Sequence, residues 1–146
     1  MTAAFSIDPA TGAVRIGDAG LLTPNQPKDA VEPAVALFLT RSRDLGNGYE
    51  WLILGGLSFG GQPATLSLCF HDHQFEQASW SVQLPDAPME GGWPTREAID
   101  AELSFVRKVL TQDMGLHVGK TAWGEVWSQF DARGSLAGNG LRYRSA

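Results

Sequence analysis

Cys69, His71 and His73 stand at positions i, i+2 and i+4. On one extended strand that spacing projects side chains from the same face, about 7 Å apart. A thiolate and an imidazole bind zinc at about 2.0–2.3 Å, so the row reads as part of a metal site that still needs a third ligand. Asp72 is expected to point to the other face, and His117 is remote in sequence. The same Cys69–His71 pair can be read as a thiol nucleophile with its base. A two-residue offset does not by itself bring sulfur to imidazole, and the nucleophile elbow G-x-S-x-G is absent. The plainer alternative is a solvated hairpin tip beside a small thiol packed on a strand.

A second string, Gly115-Leu116-His117-Val118-Gly119-Lys120-Thr121, approaches a phosphate-binding loop. That loop needs four residues between its glycines, so that backbone amides wrap the phosphates, and it opens a helix. Here three residues intervene, and the segment is expected to leave a helix and enter a strand. It reads as a helix C-cap followed by a loop. Among the carboxylates, Asp8 and Asp18 offer a loose pair, and Glu97 and Asp100 suit the start of a helix. Glu125 lies between Trp123 and Trp127, where aromatic neighbours could perturb its titration. A glycosidase would need a second carboxylate across a cleft, with Asp131 the nearest in sequence. If the Trp123–Glu125–Trp127 face packs on a helix, it buries a carboxylate at a cost. If it faces outward, it forms an amphipathic patch suited to a protein partner.

These residues must be held by an α+β fold. Phe5 and Ile7, then Pro9–Gly12, then Val14 and Ile16 predict a hairpin. A short helix is expected over Pro27–Glu32, and the apolar run Ala34–Thr40 is read as a strand. Tyr49–Phe59 predicts a strand interrupted by Gly55-Gly56, a pair that suggests a bulge. Leu66, Leu68 and Phe70 alternate with polar residues, and a turn at His71–Gln74 returns the chain through Phe75–Leu84. After a Pro- and Gly-rich linker over 85–94, Thr95 can cap a long helix of about residues 96–113, with Gly115 as its stop. Its apolar stripe runs through Ile99, Leu103, Val106, Leu110 and Met114. A closing hairpin is expected over Thr121–Phe130 and Leu136–Arg144. The whole predicts one domain over 1–146: an antiparallel sheet built from hairpins and packed against that helix.

Composition narrows the function classes. The 146 residues can bury roughly two-thirds of their unfolded surface, and a lone cysteine excludes a disulfide scaffold. Sixteen acidic against eleven basic residues, a net charge of -5, argue against a general nucleic-acid binder. There is no apolar run near the ~18 residues that cross a bilayer, so no membrane partner is expected. The opening MTAAFSIDPATG lacks a basic segment followed by an apolar one, which predicts a cytoplasmic protein. Nothing in the chain calls for a cofactor. Seventeen glycines and five tryptophans with only 18% charged residues remain the compositional oddity.

The strand Leu66-x-Leu68-x-Phe70, the helix ending in glycine, and the hairpin from Ala122-Trp123-Gly124-Glu125-Val126-Trp127 through Asp131-x-Arg133-Gly134 to Leu141-Arg142-Tyr143 carry a resemblance. Over Ala64–Arg144 the chain resembles small bacterial proteins of the kind that serve as immunity proteins in contact-dependent and polymorphic toxin systems. The resemblance implies a scaffold with a binding role and no catalytic residue. The expected function is therefore non-catalytic protein binding through Trp123, Glu125, Trp127 and the 85–94 loop, toward a toxin with a basic surface. A small enzyme or metal-binding protein using Cys69, His71 and His73 is the alternative. A homodimer through an edge strand is a further expectation.

Overall fold

The computed structural model describes residues 3–18 and 20–144. The first hairpin joins β1 (Ala3–Ile7) to β2 (Val14–Ile16), with Phe5 opposite Ile16, and β3 (Gly20–Leu22) continues it. α1 (Lys28–Val35) starts behind Pro27, whose fixed φ suits a helix entry. The expected strand over Ala34–Thr40 is corrected here. Ala34 and Val35 finish α1, Ala36–Phe38 form one 3₁₀ turn, and β4 begins only at Leu39 (Leu39–Asp44). The run lacks period-two alternation: Val35 is buried, whereas Leu37 is 94% exposed.

The central meander comprises β5 (Tyr49–Phe59), β6 (Gln62–His71) and β7 (Gln74–Val82), paired antiparallel. A register shift between Leu54 and Leu57 places the bulge at Gly55-Gly56. The bulge divides β5 between two partners on one edge: β4 pairs with its first half, and β1 pairs parallel at Leu57 and Ser58. The sheet is thus larger than a series of hairpins, and one of its ladders is parallel. A two-stranded ribbon, β8 (Met89–Glu90) and β9 (Trp93–Pro94), occupies the linker. α2 (Arg96–Met114) follows, capped by Thr95 Oγ1 accepting from Ala98 N and stopped by Gly115 at φ 67°. Then come β10 (Gly119–Lys120), β11 (Gly124–Asp131) and β12 (Leu136–Tyr143). The large sheet has ten strands in the order β10-β11-β12-β7-β6-β5-β1-β2-β3, with β4 also on β5.

One face of this sheet is the core. Leu52, Leu54, Leu66, Leu68, Ala78, Val126 and Leu141 point into it and are buried. α2 covers it with Ile99, Val106, Val109 and Leu110, while Phe5 from β1 meets Phe59 at 5.2 Å and Trp80 at 6.1 Å between ring centroids. β1 and β12 are not neighbours in the sheet, yet their ends meet. Tyr143 Oη donates to Gly12 O at 2.5 Å, and Trp123 Nε1 donates to Pro9 O at 3.0 Å. The sheet therefore curls until its N-terminal hairpin touches its C-terminal one. No helix of the described residues is long and apolar enough to cross a membrane.

Candidate functional site

Among the described residues neither helix nor strand lies over the other face of the sheet, and register alone assembles its surface. Because every second residue of each strand points there, the paired positions form continuous rows. One row runs Arg43, Trp51, Cys69, Gln77, Arg142, Glu125. The next runs Arg41, Ile53, Ser67, Ser79, Gly140, Trp127. Thr65 and Ser81 face each other beyond them. Together Thr65, Ser67, Gln77, Ser79, Ser81 and Trp127 line a shallow depression of about 350 Å³. Its floor is hydroxyl and amide, and Trp127 forms one wall.

Trp127 lies flat across β12 because Gly140 leaves room for it. A Cβ at Gly140 would sit 2.5 Å from Trp127 Cζ2. Trp51 and Ile53 are half-buried on the same face, and Glu125 is exposed. Arg142 Nε and Nη2 both donate to Gln77 Oε1, at 3.2 and 2.9 Å, which holds the guanidinium against the sheet between Cys69 and Glu125.

Trp123 does not share this face. β11 begins one residue later, and the indole instead packs over Gly12, 5.8 Å from the Tyr143 ring between centroids. Gly12 has φ 78° and no Cβ to obstruct the ring. Of the three sequence candidates, then, Glu125 and Trp127 stand together on the uncovered face and Trp123 sits in the closure of the sheet. The opposite side of β11, with Val126 and Ser128, is core as its small apolar character suggests.

The expected common face of Cys69, His71 and His73 is broken by the turn. Asp72 and His73 have φ 50° and 66°, the left-handed pair of a two-residue hairpin turn. His71 stays on the uncovered side, stacked on Tyr49 at 4.4 Å with Nδ1 3.8 Å from Glu76. His73 Nδ1 instead lies 3.7 Å from Glu50, a residue registered with the core-facing Phe70. Cys69 is buried, 2% exposed, and burial with the nearby Glu76 charge pushes its thiol up to about 11. Among the described residues no group of three or more His, Cys, Asp or Glu is placed to hold a metal ion. At neutral pH the thiol is protonated, the reverse of what a nucleophile needs.

The phosphate-loop string behaves as a helix stop: Leu116 N donates to Leu110 O, and β10 follows. Glu97 sits in the first turn of α2, and Arg96 Nε pairs with Asp100 at 3.0 Å. One polar cluster was not visible in the sequence. On the core side, Glu102 Oε2 accepts from Val82 N at 3.1 Å and from Asn139 Nδ2 at 2.9 Å. Ser128 Oγ donates to Asn139 Oδ1 at 2.7 Å, and Arg107 donates to Ser128 O. Each polar group there has a partner, so the cluster fastens α2 to β7, β11 and β12. Trp51 and the three arginines of the uncovered face were missed as well. Alternation of Trp51 and Ile53 with Leu52 and Leu54 was a usable signal, since both sides of one strand are then apolar; the Arg142–Glu125 juxtaposition needs the register.

The uncovered face thus offers hydrogen-bonding groups, two indoles and charges of both signs, an arrangement that can recognise a surface. No protein-family model, curated protein or solved structure matches the chain.

Proposed function

We propose that the chain is a non-catalytic protein-binding module of the immunity type, which neutralises a partner toxin by covering it with the uncovered sheet face. The observation that carries this reading is that face itself: an antiparallel platform on which Trp127 walls a floor of hydroxyls and Trp51 stands in the neighbouring row. Interfaces concentrate their affinity in such aromatic anchors, surrounded by polar groups that exclude water. Trp127 and Glu125 are the chosen contacts, with Trp51 and Arg142 beside them. The net charge of -5 speeds encounter with a basic partner surface.

The test is titration calorimetry against the product of the adjacent gene. Trp127→Ala and, at an exposed position, Glu125→Arg are each expected to weaken binding at least tenfold, about 1.4 kcal/mol, with unchanged circular dichroism. Wild-type chain that does not bind that product, or folded variants that bind it equally well, would overturn the proposal.

A further inference from the structure

A second surface lies at the margin of this face, where β4 forms a local edge beside the first half of β5. We propose that the free edge of β4 is a strand-addition site for an extended, acidic segment of a partner protein. β4 pairs only with the first half of β5, and all six of its residues are exposed. No backbone hydrogen bond among the described residues reaches its outer side. An unpaired row of amides and carbonyls is a template for another strand.

The side chains say which strand. Arg41 and Arg43 register with Ile53 and Trp51, so both project toward the uncovered face. Neither forms an ion pair among the described residues. Asp44 forms no ion pair with either among the described residues; its Oδ1 accepts from Gly46 N at 2.9 Å in the following turn. Two unpaired cations at alternate positions call for carboxylates at alternate positions on the added strand, since opposite charges across a strand pair attract. Leu39 and Leu45, 39% and 45% exposed, bracket the edge and would meet apolar residues at the ends of that strand.

In the two registers that overlap β4 most fully with a second copy, like charges meet. Centring an antiparallel pair on Arg41 sets that residue against its own copy, and centring it on Ser42 sets Arg41 against Arg43. Like charges directly opposed are destabilising, which is how natural edges resist self-pairing.

The site shares its margin with the Trp127 face, but Glu125 and Trp127 lie on β11 at the far side, with β5, β6, β7 and β12 between. Its test uses a fluorescein-labelled peptide of alternating glutamate and valine, the matching lysine–valine peptide, and two glutamate–valine peptides N-methylated on one or the other alternate set of amides. Fluorescence anisotropy is expected to show the glutamate peptide binding, with Arg41→Glu/Arg43→Glu weakening it at least tenfold and Glu125→Arg leaving it unchanged. The lysine peptide should gain on the charge-reversed variant what the glutamate peptide loses. One of the two methylated peptides should bind at least tenfold more weakly than its parent. Both arginines are exposed, so the variant is expected to keep its fold, and Arg41→Gln/Arg43→Gln provides a milder second variant. Absent binding of the glutamate peptide up to about 1 mM, a weak-complex limit, would overturn the proposal. So would equal binding to the charge-reversed variant, or equal binding of both methylated peptides, which would mean charge attraction without strand pairing.

Discussion

Glu102 shows how a single side chain can connect a helix to two interior strands. β12 pairs with β7 only as far as Asn139 opposite Trp80, so Val82 N has no strand partner on that side and takes the carboxylate instead. Burial pushes the Glu102 carboxyl above its ordinary value, more than the hydrogen bonds from Val82 and Asn139 offset. A folded-state pKa raised above the unfolded one contributes stability that is complete below the unfolded pKa and disappears as pH rises through the folded one. Glu102→Gln keeps an acceptor oxygen and removes the titration. Urea midpoints measured from about pH 8 down to pH 4, a range spanning the carboxylate region, should therefore shift in favour of wild type relative to this variant as pH falls. A wild-type-minus-variant difference that stays flat would mean that Glu102 titrates alike in both states.

At the scale of elements, α2 illustrates local signals that survive folding unchanged. Thr95 accepts from Ala98 N, and its hydroxyl also donates to Pro88 O at 3.2 Å, tying the helix start to the β8–β9 ribbon. Thr95→Ala should cost about 1 kcal/mol, the usual loss of an N-cap, read as a lower urea midpoint at unchanged slope. A neutral result would show that water replaces the cap. β5 is a different kind of element, since its Gly55-Gly56 bulge matters through its neighbours: it is the point where β4 gives way to β1 along one edge. The same division leaves β4 with an unpaired outer side.

For the molecule as a whole, the decisive contacts span the chain. Tyr143 Oη donates to Gly12 O across 131 residues, and Trp123 reaches Pro9 across 114. They hold the N-terminal hairpin against the C-terminal one and keep the curled sheet closed over its core. Tyr143→Phe leaves a buried carbonyl without a donor, a loss of about 1–3 kcal/mol. Chemical denaturation should register it, and hydrogen exchange should show faster opening of the loop between β1 and β2. A change confined to the global midpoint, with that loop still protected, would place the closure elsewhere.

What the amino-acid order determined alone was whatever depends on neighbours a few residues apart. The cap at Thr95, the stop at Gly115, the hairpin turn between Ile7 and Val14, the Leu66–Leu68–Phe70 alternation and the bulge at Gly55-Gly56 all rest on backbone conformation and short periodicity, which act locally. Ala34–Thr40 was misread because an apolar run without alternation suits helix or strand, and the choice there falls to packing: α1 buries Val31 and Val35. The placement of the candidate site was half legible. Glu125 and Trp127 could be named together, but Trp123 could not be separated from them, because only the curl of the sheet brings Gly12 beneath its ring. His71 and His73 looked like one face until two left-handed residues turned the chain. Register across non-sequential strands, closure between distant hairpins and, among the described residues, the lack of a helix or strand over one face are properties of the assembled sheet. They follow from long-range pairing that no local window of sequence encodes, and so tertiary structure alone decided which residues stand together on the uncovered face.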